Sequence, residues 1–167
     1  MRPSKAKREH CTHQREIAAP VNVVFPLACP VEEYKWIDGW QCEMIFSEGG
    51  KNENNCIFSE EMSAPVLFPS ADLGATNWYT TLWDTAGHKV HFVLITSLSV
   101  AKYEVEMQDK GDGNTLVQWD FTLTALNDEG NRHMDDATAG RMTGMMTFLG
   151  DSLKHYCETG EILRFQR

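Results

Sequence analysis

The chain reads as an α+β domain in which a curved antiparallel sheet of about six to seven strands wraps around one long C-terminal helix. Three features predict this. From Cys42 to Leu126 apolar residues recur with a period of two, interrupted by turn-forming stretches. The last two of these segments are apolar on one side only, as in a sheet with a single covered face. From Asn131 to Glu158 the period changes to that of a helix.

The 167 residues, 42% hydrophobic and 23% charged, suit one globular domain with a sizeable core. Residues 1–9 read as a basic N-terminal tail carrying Arg2, Lys5, Lys7 and Arg8, and residues 10–167 as the domain. His10 to Ala18 alternates and forms a first strand. Pro20 starts a short apolar helix over Val21–Leu27, which Pro26 limits to about two turns. Pro30 starts a second, with Val31, Tyr34 and Ile37 at helical spacing, closed by Asp38-Gly39. In that segment Glu32 and Glu33 are expected as solvated first-turn charges.

CEMIFSE (42–48) and CIFSEEM (56–62) flank GGKNENN and read as a hairpin. The strands TNWYTTLWD (76–84), VHFVLITSL (90–98), KYEVEMQD (102–109) and TLVQWDFTLTAL (115–126) follow, with turn chemistry at Gly87 and Asp112-Gly113. On the last two, Tyr103, Val105, Met107, Val117, Trp119, Phe121 and Leu123 form the covered set. The apolar loop SAPVLFPSADLG (63–74) has three roles open to it: a lid, a homodimer contact, or a loop folded onto the core. One helix is expected over 131–158, with Met134, Thr138, Met142, Met145, Leu149, Leu153 and Tyr156 on one face and Gly160 past its end.

Charge and motifs exclude several functions. A net charge of −9 repels phosphate backbones, so nucleic acid is not an expected partner. No apolar run approaches the roughly 18 residues that span a bilayer, so stable membrane insertion is not expected. No apolar segment follows the basic start as in a secretory signal, and a cytoplasmic location is the expectation. The five cysteines are odd in number and form no CxxC pair, which fits reduced thiols. His10, Cys11, His13, His88 and His91 offer no regular four-ligand spacing, so no metal is expected. No nucleophile motif or phosphate-cradling glycine loop is present, and no cofactor is expected.

Two segments carry a family resemblance. IAAPVNVVFPLACPVEEYKWIDGW resembles the opening of a bacterial polyketide-cyclase-like subgroup of the START/Bet v-like (SRPBCC, helix-grip) superfamily, and TLVQWDFTLTALNDEGN resembles that subgroup's last strand and helix entry. The resemblance covers essentially the whole chain. It implies the helix-grip fold and a cavity between sheet and C-terminal helix. It implies no particular chemistry, because these proteins share a cavity rather than a catalytic motif.

Within such a fold the aromatic wall is drawn from Tyr34, Trp36 and Trp40 near the open end of the sheet and from Trp78, Tyr103, Trp119 and Phe121 on the strands. The helix adds Met142, Met145, Met146 and Leu149, and methionines adapt to irregular ligands. The plain alternative is that these side chains fill the core and leave little free volume. Polar candidates are Glu43, Glu60, His91 and Asp120. Alternation turns Glu43 and Asp120 towards water, leaving His91 and Glu60, with no catalytic residue assigned. The leading expectation is binding of a small hydrophobic or aromatic ligand. The alternatives are a cyclase/dehydratase-type enzyme in the same cavity and a protein-interaction domain akin to the chaperone-activating branch.

Overall fold

The computed structural model describes residues 5–165. Its elements run β1 (Arg8–Ile17), α1 (Val21–Val24), β2 (Cys42–Phe46), β3 (Ile57–Glu60), α2 (Ser63–Leu67), β4 (Thr76–Asp84), β5 (Lys89–Ile95), β6 (Ser99–Gly111), β7 (Asn114–Ala125), α3 (Asp128–His133) and α4 (Thr138–Thr159). Two 3₁₀ segments, Phe25–Ala28 and Glu33–Lys35, lie between α1 and β2. The seven strands form one antiparallel sheet in the order β1-β7-β6-β5-β4-β3-β2. β1 therefore crosses from one end of the chain to pair with the last strand, while β2 is left as the far edge. Register shifts at Met44/Phe46, Thr80/Leu82 and Asp109/Gly111 add the local bends that let the sheet curl.

The alternation read from β6 and β7 is the alternation observed: Tyr103, Val105, Met107, Val117, Trp119, Phe121 and Leu123 are all buried. Aromatic residues stand opposite one another in the ladder, Phe58 against Trp78, Phe92 against Tyr103 and Tyr103 against Phe121. Their rings lie 5.3, 6.0 and 5.9 Å apart, so a continuous aromatic row crosses five strands.

Two differences from expectation concern the first strand and the C-terminal helix. β1 begins at Arg8, inside the segment read as a tail. Lys7 is also tied down, its main-chain N–H donating to Asn131 Oδ1 at 2.8 Å and its Nζ to the Met134 carbonyl at 2.7 Å. Of the basic cluster, Arg2 lies outside the described residues. The second difference is the C-terminal helix, which is two helices. Met134 leaves the helical conformation, with φ −83° and ψ 93°. Asp135 then accepts from Ala137 N at 3.0 Å and from the Arg141 guanidinium at 2.9 Å, satisfying the start of a new helix. Asn127 caps α3 through its side chain, which accepts from Gly130 N, whereas the N-cap of α4, Ala137, supplies no side-chain cap. The break is a local change of backbone conformation with its own hydrogen bonds, which apolar periodicity does not register.

α4 packs chiefly on β1, with further contacts to β7 and α2. Its innermost residues are Met142, Met146, Gly150 and Leu153, spaced 4, 4 and 3. At Gly150 a Cβ would come within 3.0 Å of His13 Nε2 and Arg15 Cγ on β1, so a glycine permits the close helix–strand approach. The 63–74 segment lies on the core: Leu67 and Phe68 are buried, while Val66 points outward. No helix among the described residues is long and apolar enough to cross a membrane.

This packing ranks two leucines on one helix. Leu153→Ala, at a fully buried site, is expected to cost about 2–5 kcal/mol in chemical denaturation. Leu149→Ala, on a half-buried wall, is expected to cost clearly less. Equal losses at the two positions would contradict the packing described.

Candidate functional site

A cavity of about 90 Å³ lies between the sheet, α2 and α4. The sheet side contributes Glu60 from β3, Trp78 from β4 and Tyr103 from β6. α2 and the residue before it contribute Ser63, Val66 and Met62, and α4 contributes Met145, Phe148 and Leu149. The segment 33–40 closes the remaining side with Glu33, Ile37 and Trp40. Val66 is exposed, so the cavity reaches the surface beside α2. A deeper void of about 10 Å³ lies beyond Glu33 and Tyr103, lined also by Trp36, Phe92, Trp119 and Leu153. Glu33 and Tyr103 border both spaces and thus stand as the partition between them.

The expected aromatic wall is only partly the observed one. Trp40, Trp78, Tyr103, Met145 and Leu149 line the cavity. Trp36 and Trp119 border only the deeper void. Phe121, Met142 and Met146 are sealed in the core and line neither space, because they sit where α4 is pressed onto the sheet. Tyr34 turns outward and is 47% exposed, its hydroxyl donating to Cys42 O at 3.0 Å and accepting from Cys42 N at 2.9 Å. It fastens the turn to the start of β2. Trp36 and Trp40 anchor the same stretch through indole N–H donors to Leu27 O at 2.8 Å and Pro30 O at 2.9 Å.

The two acid–base candidates separate. His91 lies on the outer face beside Glu104 and Glu106, at 3.5 and 3.6 Å, away from the cavity. Glu60 is buried and faces inward. Its Oε2 accepts from Met62 N at 2.5 Å and Ser63 N at 2.8 Å, and its Oε1 accepts from the Ser63 hydroxyl and from Trp78 Nε1 at 2.9 Å. Main-chain and indole N–H groups can only donate, so the pattern is that of a carboxylate.

Glu33 is the residue the sequence reading misplaced. The backbone turns it inward, and the partly buried side chain lines the cavity wall. Burial is the main cause that raises its pKa from 4.5 to about 8, and the like charge of Glu60 adds to the effect. Among the described residues its carboxyl has no hydrogen-bond partner. Burial likewise raises the Tyr103 hydroxyl well above its usual range, with Glu33 contributing and the Trp119 side chain opposing. A signal for Glu33 was present in the sequence: Glu33, Ile37 and Trp40 stand at i, i+4 and i+7, the spacing of one helical face. Grouping Ile37 with Val31 and Tyr34 hid it. Phe148 was missed because the cavity-facing stripe of α4 runs beside the fully buried one.

The Glu33 proton makes stability depend on pH in a defined direction. Between 4.5 and about 8 the folded chain holds a proton there that the unfolded chain has released, so stability falls as pH rises through this window. Glu33→Gln is expected to remove that slope. Relative to the variant, the wild type should lose on the order of a few kcal/mol across the window in denaturant melts. Parallel stability curves for the two proteins would show that Glu33 titrates normally.

The sequence matches the family model described as polyketide cyclase / dehydrase and lipid transport over residues 8–158. No curated protein sequence matches it. Among solved structures, a Thalictrum flavum norcoclaurine synthase point mutant in complex with a transition state analogue superimposes with a TM-score of 0.66 at 10% identity, covering 95% of this chain and 99% of that one. A START superfamily protein from Mycobacterium smegmatis gives 0.63 at 12% identity, with 89% and 97% covered. The Zhui aromatase/cyclase from Streptomyces sp. R1128 gives 0.62 at 8% identity, with 94% and 100% covered. Such low identities speak to the fold alone, and the family match supplies the rest: the chain belongs to the polyketide cyclase/dehydrase and lipid transport family, on the helix-grip fold of the START/Bet v-like superfamily.

Proposed function

We propose that this chain binds a small hydrophobic ligand in the cavity between the sheet and α4. The observation that carries the reading is the lining itself, apolar on α4 and aromatic on the sheet, with polar groups confined to Glu33, Glu60, Ser63 and the Tyr103 hydroxyl. Size sets a limit on the ligand. An apolar cavity of roughly 150 Å³ accepts benzene, so at about 90 Å³ this one admits a ring-sized ligand only when lining side chains move. Met62 and Met145 are unbranched and able to move without backbone change.

A second reading is general acid–base catalysis of the cyclase/dehydratase kind in the same cavity. One observation favours it: Glu33 keeps its proton near neutral pH while Glu60, close by, accepts hydrogen bonds only. Two carboxyls in different protonation states are the usual equipment of an acid and a base. Dehydration or cyclisation turnover that Glu33→Gln abolishes, in a variant that still unfolds cooperatively, would select this reading over simple carriage.

Carriage is tested by titrating the folded protein with an apolar fluorescent probe. Saturable binding of about one probe per chain is expected. Val66→Trp, at the exposed rim, should block the opening and weaken binding by about tenfold. Glu104→Ala, away from the cavity, should leave it unchanged. A folded wild type that binds no apolar probe would end the carrier reading.

A further inference from the structure

We propose that the cavity selects ligands in which an apolar ring carries a protonated amine, the amine seated between the Glu33 and Glu60 carboxyls and among Trp40, Trp78 and Tyr103. This rests on the ligand-carrying reading above and adds the charge of the ligand to it.

Charge balance is the first ground. Two carboxyls line the cavity, and among the described residues no lysine, arginine or histidine does. Around Glu33, β3 presents Glu60, β6 presents Tyr103, and Cys29 and Cys42 approach from the flanking segment and β2. α2 presents Ser63 and Val66, and α4 presents Met145, Phe148 and Leu149. Among the described residues, every titratable group facing Glu33 is therefore neutral or negative. Bases on the elements around the cavity are engaged elsewhere: Lys35 is exposed and paired with Glu32, and Arg141 holds Leu67 O at 3.2 Å and Asp135 at 2.9 Å. Neither lines the cavity.

Hydrogen bonding is the second ground. Glu60 is saturated by donors from the protein, so its charge is fixed in place. Glu33 lines the cavity with a carboxyl that has no hydrogen-bond partner among the described residues, which is an open position for a donor brought by a ligand. The aromatic walls are the third. Trp78 and Tyr103 stand edge to face, 5.5 Å apart at 85°, and Trp40 borders the same space. Electron-rich ring faces attract an ammonium group. A neutral ligand would bring no charge to meet the negative field of the cavity. An ammonium balances it and makes the ionised form of Glu33 the favoured one, so its carboxyl releases one proton to the buffer as the amine binds.

The sign of the pH dependence distinguishes the two kinds of ligand. Calorimetric titration of the full chain would compare benzylamine, which stays protonated over the range, with benzyl alcohol of similar shape, in buffers of different ionisation enthalpy. For benzylamine, release of one proton is expected below about 8, with affinity rising about tenfold per pH unit there and levelling off above. Benzyl alcohol is expected to bind more weakly and without that rise. Glu33→Gln should abolish both the proton release and the slope. The proton count on the wild type needs no variant and stands if the variant misfolds. Benzyl alcohol binding as tightly as benzylamine, or benzylamine binding with no proton release, would overturn the amine proposal and leave the carrier reading intact. If neither compound binds while the apolar probe does, the amine proposal alone falls; if the probe fails too, both fall.

Discussion

At the end of β3 one carboxylate takes hydrogen bonds from two main-chain N–H groups, a serine hydroxyl and an indole, all within a buried corner of the molecule. Much of the site follows from that arrangement at Glu60. The N–H groups of Met62 and Ser63 belong to the start of α2, where a helix leaves donors unpaired, so the carboxylate fastens α2 over the sheet. The indole bond fixes the Trp78 ring, which stacks on Phe58 and meets Phe92 and Tyr103 edge-on. A buried charge of this kind is tolerated only when it is fully bonded, and here it is. Its field then falls on Glu33, whose carboxyl lacks such donors and keeps its proton instead.

The aromatic row explains why the cavity is small. A seven-stranded curled sheet with one long helix has more concave surface than α4 covers. α4 lies towards the β1 and β7 side, where Gly150 lets it approach closely. Phe121, Met142 and Met146 are consumed in that contact. Towards β3 and β4 the helix no longer reaches the sheet directly, and Phe58, Trp78, Phe92 and Tyr103 fill most of the gap. What remains is a narrow space floored by Trp78 and Tyr103 and capped by α2 and Trp40. The two expectations drawn from the aromatic content, a lined cavity and a filled core, are therefore each true of a different part of the concavity.

Much of this architecture was legible from residue pattern because alternation and helical periodicity respond directly to burial. Strands β4 to β7 fall close to their expected bounds, and the covered set on β6 and β7 is the one seen. The division of the C-terminal helix at Met134 was not legible in the same way, since it depends on Asp135 meeting the Ala137 N–H and the Arg141 guanidinium. The aromatic list mixed residues with three fates: Trp40 at the cavity, Trp119 at the deeper void and Tyr34 at the surface. All three are large and partly apolar, and composition does not tell them apart.

By itself the sequence determined the fold class, the sheet's covered face and the helical stripe on α4, because each is a repeating consequence of hydrophobic burial along one element. It also supplied the ingredients of the site, Glu33, Glu60, Trp40, Trp78 and Tyr103, without relating them. Only the tertiary structure decided that relation. Glu33 stands in a short 3₁₀ turn, Glu60 at a strand end twenty-seven positions later and Tyr103 on the sixth strand. Their proximity is set by the curl of the sheet and the way segment 33–40 folds across its open end. Whether a carboxyl there is solvated and charged or enclosed and protonated depends on which groups surround it in space, and no local pattern in the chain encodes that.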